Sequence, residues 1–316
     1  MRSREYHYNG VLLYNKPSGI SSHDAVLDIR RTINQRRVGH TGTLDPLAEG
    51  LLVICLGQAT KIAQFLSDLD KTYEAEIRLG QDSVTYDSEG ITENQTAVVV
   101  PELGEYEITE LLAEYKGRIR QKVPAYSAVK VGGQRLYNLA RSGVRIEPVV
   151  REIEIKQIEP LGYSKPRLHL LIRCSRGTYI RSLAHDLGEK IGCGGYLSQL
   201  RRTSVGKFNL SSALTLTDVK RYHENGTLDK YLLGYDDVLH YSAIIVTDEF
   251  KRQVISGKAL RPKEVVGLKG DFSAGERVLL MDKDEHVLAV GRAEVPSNTF
   301  DQEQTKKLFS YIRVLI

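Results

Sequence analysis

The chain has 316 residues, of which 41% are hydrophobic and 27% are charged, and its formal net charge is +4. This length and composition predict a folded protein of about two domains and exclude a disordered or fibrous chain. No apolar run approaches the ~20 residues of a membrane-spanning helix, and the N-terminus lacks the apolar segment of a signal peptide. We therefore expect no membrane association and a cytoplasmic protein.

The N-terminal residues predict a strand and then a helix. Residues 10–15 are apolar and lead into the turn sequence KPSG, which is typical of a strand that ends in a turn. Ser21, with Asp24 three residues later, resembles a capping box, and apolar residues then recur at helical spacing. We therefore predict a helix that begins near residue 22.

The segment GHTGTLDPLAEGLL at residues 39–52 is the most informative part of the sequence. Glycine permits backbone conformations that other residues resist, and Pro46 fixes its own φ and restricts Asp45. The loop is therefore predicted to hold Asp45 in one place, where a carboxylate can serve as a nucleophile or a general base. The alternative is a turn aspartate that accepts hydrogen bonds from its own backbone.

The middle of the chain mixes strand and helix patterns without a regular β-α-β-α order. This mixture predicts an α+β fold with a largely antiparallel sheet. Period-two alternation marks strands and i, i+3, i+4 spacing marks helices. The predicted segments are strands at 51–56, 72–79 and 168–174, helices at 59–66 and 180–191, and a polar loop at 81–105.

The composition changes near Tyr241, after which Gly, Lys and short β-like runs dominate. Residues 277–282 and 286–290 flank a Lys-Asp-Glu turn and predict a β-hairpin. We therefore predict a small β-rich domain at residues 241–316, which follows a larger domain at residues 1–240.

Basic residues cluster in three places, and clusters that converge on one cleft would favour a polyanionic partner. The alternative for each cluster is a helix end or a solvated surface. The three cysteines are scattered without a C-x-x-C pair, which predicts neither a disulfide framework nor a zinc site. The basic clusters are Arg30, Arg31, Arg36 and Arg37; Lys116, Arg118, Arg120 and Lys122; and Arg201 and Arg202.

Five blocks of sequence, in a fixed order, resemble the bacterial TruB family of tRNA pseudouridine-55 synthases. The resemblance runs from residue 10 to residue 208 and, less specifically, through a tail that is similar to a PUA domain. The sequence departs from the family at Ser83, where threonine is usual. The blocks are GVLL and NKP at 10–17, GHTGTLDP at 39–46, RLG with Thr85, Asp87 and Gly90 at 78–90, VPAYSAVK at 123–130, and CSRGTYIR at 174–181 with LRR at 200–202.

The resemblance implies a pseudouridine-synthase fold, which is α+β with a largely antiparallel mixed sheet flanked by helices, and a C-terminal PUA-like domain that binds RNA. It implies an enzyme that isomerises uridine to pseudouridine at position 55 in the T loop of tRNA, without a cofactor or a metal. The expected partner is the T arm of tRNA. We expect a monomer that requires no protein partner.

The resemblance also assigns roles to individual residues. Asp45 is the expected catalytic aspartate, Arg181 pairs with it through charge-assisted hydrogen bonds, and Tyr73 stacks on the extruded base. Whether Asp45 attacks C1′ or removes a proton from the sugar stays open. The residues expected to bind substrate or RNA are Lys16, His40, Tyr179, Leu200, Arg201 and Arg202.

Several of these residues have an ordinary structural alternative. Tyr73 and Leu200 could be core residues, Lys16 could brace the loop, and His40 could be structural. Glu49, four residues after Asp45, could form a glycosidase-like carboxylate pair with it. We discount that pair, because the uracil returns to the same sugar and no water needs activation, and we expect Glu49 to be exposed or to cap a helix.

Three rival functions follow from these alternatives. One is a tRNA-binding or tRNA-folding protein in which catalysis is secondary, and another is a carboxylate glycoside hydrolase. The third is a guide-RNA-dependent pseudouridine synthase. The Gly-His-Thr-Gly form of the loop at residues 39–42 favours the stand-alone enzyme over the guide-dependent type.

Overall fold

The computed structural model describes residues 7–91, 98–127, 129–142, 147–299 and 307–316. The first residues of the N-terminus, part of the predicted polar loop and one residue of the VPAYSAVK block lie outside the described residues. Within the described part, no helix is both long and apolar enough to cross a membrane.

The larger part of the chain is built on one sheet. Nine strands form it in the order β1-β3-β10-β4-β9-β8-β5, with β2 beside β3 and β11 beside β10. All paired neighbours run antiparallel except β3 and β10. The strands in this part are β1 (Gly10–Lys16), β2 (Val38–His40), β3 (Glu49–Leu56), β4 (Lys71–Leu79), β5 (Gly117–Lys122), β6 (Lys130–Val131), β7 (Gln134–Arg135), β8 (Val150–Ser164), β9 (Arg167–Cys174), β10 (Gly195–Val205) and β11 (Phe208–Asn209), of which β6 and β7 pair only with each other.

Helices flank this sheet, and the first begins where the sequence predicts. The Ser21 side chain accepts a hydrogen bond from the Asp24 amide and the Asp24 side chain accepts one from the Ser21 amide, so the capping box is present. The helices are α1 (Ser22–Thr32), α2 (Ala63–Ser67), α3 (Glu105–Ala113), α4 (Leu136–Arg141), α5 (Ile180–Ile191), α6 (Leu216–Glu224), α7 (Tyr235–Val238) and α8 (Asp248–Val254).

The helix predicted at residues 59–66 is split in two. A 3-10 helix at Gly57–Ile62 precedes the short α2. The Thr60 hydroxyl donates to the Gly57 carbonyl at 2.8 Å. A side-chain donor on this carbonyl competes with the backbone amide of a regular α-helix, which accounts for the tighter first turn.

The apolar faces of β4 and α5 meet in the main core. Ala75 and Ile77 on the strand and Leu183 and Leu187 on the helix belong to one buried cluster. The predicted alternation of β4 holds with one exception, because Glu76 on the polar face is also buried. Its carboxylate accepts a hydrogen bond from Ser198 at 2.6 Å, which satisfies a group that would otherwise be costly to bury.

A second sheet of five strands occupies the C-terminal part, and it contains the predicted hairpin as β14 and β15. It has its own core, which includes Phe250, Leu288 and Phe309. A further apolar cluster joins its Leu279 to Val11 of the first sheet. The boundary at residues 240 and 241 stays a prediction. The strands are β12 (Ala243–Val246), β13 (Val265–Lys269), β14 (Arg277–Met281), β15 (Val287–Ala293) and β16 (Phe309–Val314), in the spatial order β13-β12-β14-β15-β16.

Candidate active site

Asp45 lies in the loop that connects β2 to β3, and neighbouring backbone groups hold this loop on both sides of the carboxylate. The Ser22 hydroxyl accepts a hydrogen bond from the Leu44 amide at 2.7 Å and donates one to the Leu44 carbonyl at 2.8 Å. The Gly19 amide donates to the Pro46 carbonyl at 2.8 Å. Because both neighbours of Asp45 are fixed to the segment that begins α1, the loop presents its carboxylate in one position.

The loop also rests on Arg202. The Arg202 side chain is buried, and it donates to the carbonyls of Gly42 at 3.1 Å and Leu51 at 2.7 Å. Of the three glycines in the segment, Gly50 alone has a left-handed φ, at +102°, and a Cβ there would collide with the Arg202 carbonyl oxygen. Glycine is therefore needed at the end of the loop, where it meets β10, and not beside Asp45.

Arg181 in the first turn of α5 is the cation that faces Asp45. Its Nε lies 2.9 Å from Oδ2 of Asp45, and its Nη1 lies 3.0 Å from Oδ2 of Asp87. Nη1 and Nη2 also donate to the carbonyls of Thr85 at 3.0 Å and Tyr126 at 3.2 Å. The Arg181 side chain is 6% exposed and that of Asp45 is 36% exposed. A buried cation therefore contacts a carboxylate that solvent can reach.

The contact between Arg181 and Asp45 is an ion pair and not the directed hydrogen bond that we predicted. The Nε–H group of Arg181 is buried and makes no hydrogen bond with the described residues, although Nε is close to the carboxylate. The guanidinium is instead oriented by Asp87 and by the two carbonyls. Asp45 therefore receives charge stabilisation from Arg181 while the loop sets its position.

Two polar side chains that the sequence did not single out for this purpose hold Arg181 and its surroundings. Gln121 on β5 is buried, and its amide group bonds both the amide and the carbonyl of Tyr179 at 2.8 and 2.9 Å. Tyr179 is the residue that precedes α5, so these two hydrogen bonds fix the start of the helix. The Asp87 carboxylate, which the sequence singles out only as part of the block at residues 78–90, accepts a hydrogen bond from the Thr85 hydroxyl at 2.6 Å besides pairing with Arg181.

Asp45 faces a cavity of about 730 Å³ whose wall includes five other predicted site residues. They are Tyr73, Tyr179, Arg181, Leu200 and Arg202. Tyr73 and Leu200 are both nearly buried, and burial raises the pKa of the Tyr73 hydroxyl. The cavity thus combines the partly exposed Asp45 carboxylate with apolar and aromatic side chains, which suits a small, flat and partly apolar group, and the exposed Glu89 also lines it.

Lys16 and His40 lie near this cavity but not on its wall. The Lys16 ammonium is buried, donates to the carbonyls of Pro17 and Ile20 at 2.8 and 2.7 Å, and has a pKa lowered by burial to about 8. It braces the turn, which is the alternative that the sequence left open. His40 is half-buried on β2, its Nδ1 has no hydrogen-bond partner among the described residues, and burial lowers its pKa.

Arg201 and Arg202, adjacent in sequence, point to opposite sides of β10. Arg201 is exposed, lies 3.6 Å from Glu49 and lines a neighbouring groove of about 690 Å³ that also contains Glu74. The Arg202 guanidinium donates hydrogen bonds to carbonyls of the Asp45 loop and of the strand that follows it. The structure therefore gives Arg202 a bracing position, and a role in RNA binding for Arg201 stays a prediction.

Two groups of described side chains have the composition of a metal site. They are Asp82, His185 and Glu189, and Asp282, Asp284 and His286. Neither group shares a residue with the wall of the Asp45 cavity.

Three family descriptions match consecutive parts of the chain. Residues 30–180 match the N-terminal domain of the TruB family of pseudouridylate synthases, residues 181–240 match the C-terminal domain of tRNA pseudouridylate synthase B, and residues 242–314 match the PUA domain. The chain belongs to the TruB family of pseudouridylate synthases. The family predicted from the sequence blocks is confirmed, as is the PUA domain in the tail.

Similar proteins agree with this membership along almost the whole chain. The tRNA pseudouridine synthase B of Bacillus licheniformis is 39% identical over 290 residues, which cover 90% of this chain and 92% of the relative. The protein of the same name from Clostridioides difficile is 36% identical over 301 residues, which cover 94% of this chain and 99% of the relative. The predicted enzyme class, an isomerase that makes pseudouridine in tRNA, is therefore that of the family.

A comparison with solved structures supports the fold. The chain matches a structure described as a Cbf5-Nop10-Gar1 complex with a TM-score of 0.74 at 24% identity, and the match covers 100% of this chain and 91% of that one. A second match, to an H/ACA RNP bound to a substrate RNA containing 2′-deoxyuridine, has the same TM-score over 97% of this chain. The predicted α+β pseudouridine-synthase fold is confirmed.

Proposed function

We propose that the protein isomerises the uridine at position 55 in the T loop of tRNA and that Asp45 acts on the sugar of this nucleotide. The observation that carries the proposal is the partly exposed Asp45 carboxylate, 2.9 Å from the buried Arg181 guanidinium, at the wall of a cavity large enough for a nucleoside. The reaction breaks the bond between N1 and C1′ and forms one between C5 and C1′, so its carboxylate must reach the ribose.

The surroundings of Asp45 suit either chemical route. As a nucleophile the carboxylate would bond to C1′, and as a base it would take a proton from the sugar. Both routes need the same oxygen beside the ribose. Because Arg181 is already fixed by Asp87 and two carbonyls, its charge requires no reorganisation when the reaction begins, which is the condition for electrostatic stabilisation of a transition state.

Tyr73 and Leu200 are proposed to hold the uracil. A base in a folded T loop is stacked on its neighbours and must be extruded before Asp45 can reach its sugar. Extrusion costs stacking energy, and an aromatic ring with an apolar wall opposite it replaces part of that energy. Both side chains line the cavity that Asp45 faces, so the base would contact them while the sugar lies at the carboxylate.

We further propose that the T arm of tRNA lies across both domains, at residues 1–240 and 241–316. Two features support this: the PUA domain at residues 242–314 and the exposed basic side chains of β5. Arg118 and Arg120 of this strand stand opposite Glu154 and Glu152 of β8, which offset part of their charge. Folded RNA is recognised largely by shape, which a modest positive charge suits.

We propose that the protein acts as a cytoplasmic monomer without a protein partner. The three cysteines are unpaired and buried, which is the usual state in a reducing compartment. A measurement of molar mass by light scattering, with and without unmodified tRNA, tests the monomer. We expect the mass of one chain alone and of one chain with one tRNA in the complex.

Asp45→Asn tests the catalytic role. Incubation of the purified protein with an unmodified tRNA transcript, followed by mapping of pseudouridine, is expected to show modification of the T loop by the wild type. The variant keeps the size of the side chain but neither attacks carbon nor takes a proton well, so we expect its product to fall to background. Its affinity for tRNA, measured by filter binding, is expected to stay within about threefold of the wild type.

Other results would reject parts of this proposal. Parallel loss of binding and of isomerisation would make Asp45 structural. Modification only outside the T loop would refute the proposed substrate, and release of free uracil would favour a glycoside hydrolase. Tight binding of tRNA with no pseudouridine from the wild type would favour a tRNA-folding protein.

A further inference from the structure

Ser127 carries a polar group in the active-site cavity that has no assigned role. The residue is 6% exposed and lies on the wall of the Asp45 cavity. Its hydroxyl oxygen is screened from solvent and has no hydrogen-bond partner among the residues that the structure describes. A buried hydroxyl without a partner destabilises a protein, so such a group within a binding cavity points to a ligand atom that completes it.

Three other hydroxyls on the same wall already donate hydrogen bonds within the protein. Thr85 donates to the Asp87 carboxylate at 2.6 Å, Thr178 donates to a backbone carbonyl at 3.0 Å, and Ser67 donates to a backbone carbonyl at 2.9 Å. These hydroxyls shape the site, and their hydrogens are used in doing so. The Ser127 hydroxyl differs from them because its hydrogen is available.

Hydrogen bonds hold the backbone around Ser127 in place. The Ser127 carbonyl accepts a hydrogen bond from the Tyr137 amide at 3.0 Å. The preceding carbonyl, that of Tyr126, accepts one from Arg181 at 3.2 Å, which ties the segment to the charged centre of the site. Rotation about χ1 among its three staggered positions redirects the hydroxyl without moving the backbone.

We propose that the Ser127 hydroxyl donates a hydrogen bond to a carbonyl oxygen of the extruded uracil; this inference rests on the proposed function. Asp45 is assigned to the sugar, and Tyr73 and Leu200 cover the faces of the base, so the polar edge of the uracil still lacks a partner. A neutral hydroxyl suits a carbonyl better than a phosphate, for which a cation is the usual partner.

This hydrogen bond also favours the reaction. When the bond between N1 and C1′ breaks, the departing uracil gains electron density, which spreads onto its two carbonyl oxygens. A donor aimed at one of them binds more tightly as this charge develops, so it stabilises the transition state more than the bound substrate. Ser127 would therefore raise the rate constant of the chemical step as well as the affinity.

The test combines variants of Ser127 with altered substrates. T-arm RNA is prepared with uridine, 2-thiouridine or 4-thiouridine at the target position, because sulfur accepts hydrogen bonds more weakly than oxygen. Ser127→Ala is expected to lower the single-turnover rate on uridine about tenfold, the loss of one hydrogen bond that strengthens in the transition state. Ser127→Cys, with a weaker donor of similar shape, is expected to fall between Ala and the wild type.

The decisive result is a lack of additivity. On the thio substrate that has lost the bonded oxygen, Ser127→Ala is expected to change the rate less than about twofold, because the interaction is already absent, while the other thio substrate keeps the full effect. Ser182→Ala is the matched control. Ser182 is also buried, but its hydroxyl donates to the Lys122 carbonyl at 2.7 Å, so any effect on rate should be the same on all three substrates.

Two outcomes would overturn the inference while leaving the proposed function intact. Ser127→Ala could be as active as the wild type, or it could slow all three substrates by one factor, as expected if the hydroxyl holds a structural water. In both cases the wild type still forms pseudouridine in the T loop. Failure of the wild type to modify the uridine substrate would instead reject the proposed function.

Discussion

Two carboxylate–arginine pairs stand at the two ends of one loop, and their surroundings separate them. Asp45 and Arg181 are 2.9 Å apart, and the arginine side chain is 6% exposed. Glu49 and Arg201 are 3.6 Å apart, and both side chains are about half exposed, at 49% and 51%. The charges are the same in both pairs. The difference lies in how much water each pair excludes and in what else holds the guanidinium.

This difference is the reason that we propose a catalytic role for Asp45 and none for Glu49. Arg181 is fixed by a second carboxylate and two carbonyls and is nearly buried, so water screens its charge little at Asp45. Arg201 and Glu49 lie over an open groove, where water screens their attraction. Glu49 is exposed, as expected from the sequence, and it does not line the Asp45 cavity.

Arg181→Lys is expected to have the largest effect among changes around these two pairs. Lysine keeps the charge but cannot reach Asp45, Asp87 and both carbonyls at once, because its ammonium is one compact donor group. We expect the single-turnover rate to fall by about 10²- to 10³-fold, as when one preorganised donor is removed from an active site. Release of the C5 hydrogen from tritiated uridine in a tRNA transcript measures this rate.

The matched control is Arg201→Lys, which makes the same chemical change in the exposed pair. Its rate is expected to stay within about threefold of the wild type, since exposed pairs contribute little. Equal losses in the two variants would show that burial of Arg181 does not distinguish the pairs. Affinity for tRNA, measured beside the rate, separates weaker binding from slower chemistry.

Asp87→Asn is expected to have an intermediate effect. Asparagine keeps an oxygen for the Thr85 hydroxyl but loses the charge that faces Arg181 at 3.0 Å. The guanidinium would then be held less firmly, and we expect a loss in rate of about tenfold, the usual worth of one hydrogen bond to a charged group. Thermal unfolding of the variant measures the accompanying loss of stability. A wild-type rate would show that Asp87 does not position Arg181.

The parts of the fold that depend on nearby residues could be predicted from the sequence. The capping box of Ser21 and Asp24 spans four residues, and the alternation of β4 is visible within nine. The C-terminal hairpin depends on a turn and its flanking strands. The position of Asp45 was also predictable as a constrained loop, because Pro46 restricts its own backbone and that of Asp45.

The supports of the site depend on contacts between distant residues, and these could not be predicted. Arg181 bonds the Thr85 carbonyl 96 residues away, and Gln121 clasps Tyr179 58 residues away. No local pattern records such pairs. For the same reason Lys16 and Arg202 were expected to bind RNA, whereas the structure turns both cations inward to backbone carbonyls. The sequence alone does not show whether the side chain of a basic residue faces solvent or the interior of the protein.

Glu49→Gln is expected to have the smallest effect, and it tests the last difference between the two pairs. A glycosidase-like mechanism needs a second acid to protonate the leaving group, so loss of that acid would slow the reaction by orders of magnitude. In an isomerisation that returns the uracil to the same sugar, Glu49 only pairs with Arg201 at the surface. We expect a rate within about threefold of the wild type and a free energy of unfolding lower by about 0–1 kcal/mol.

The double variant Glu49→Gln with Arg201→Gln should behave like the single one. A large loss in the single variant, measured with the same tritium assay, would make the loop a carboxylate pair and remove the distinction between its two ends.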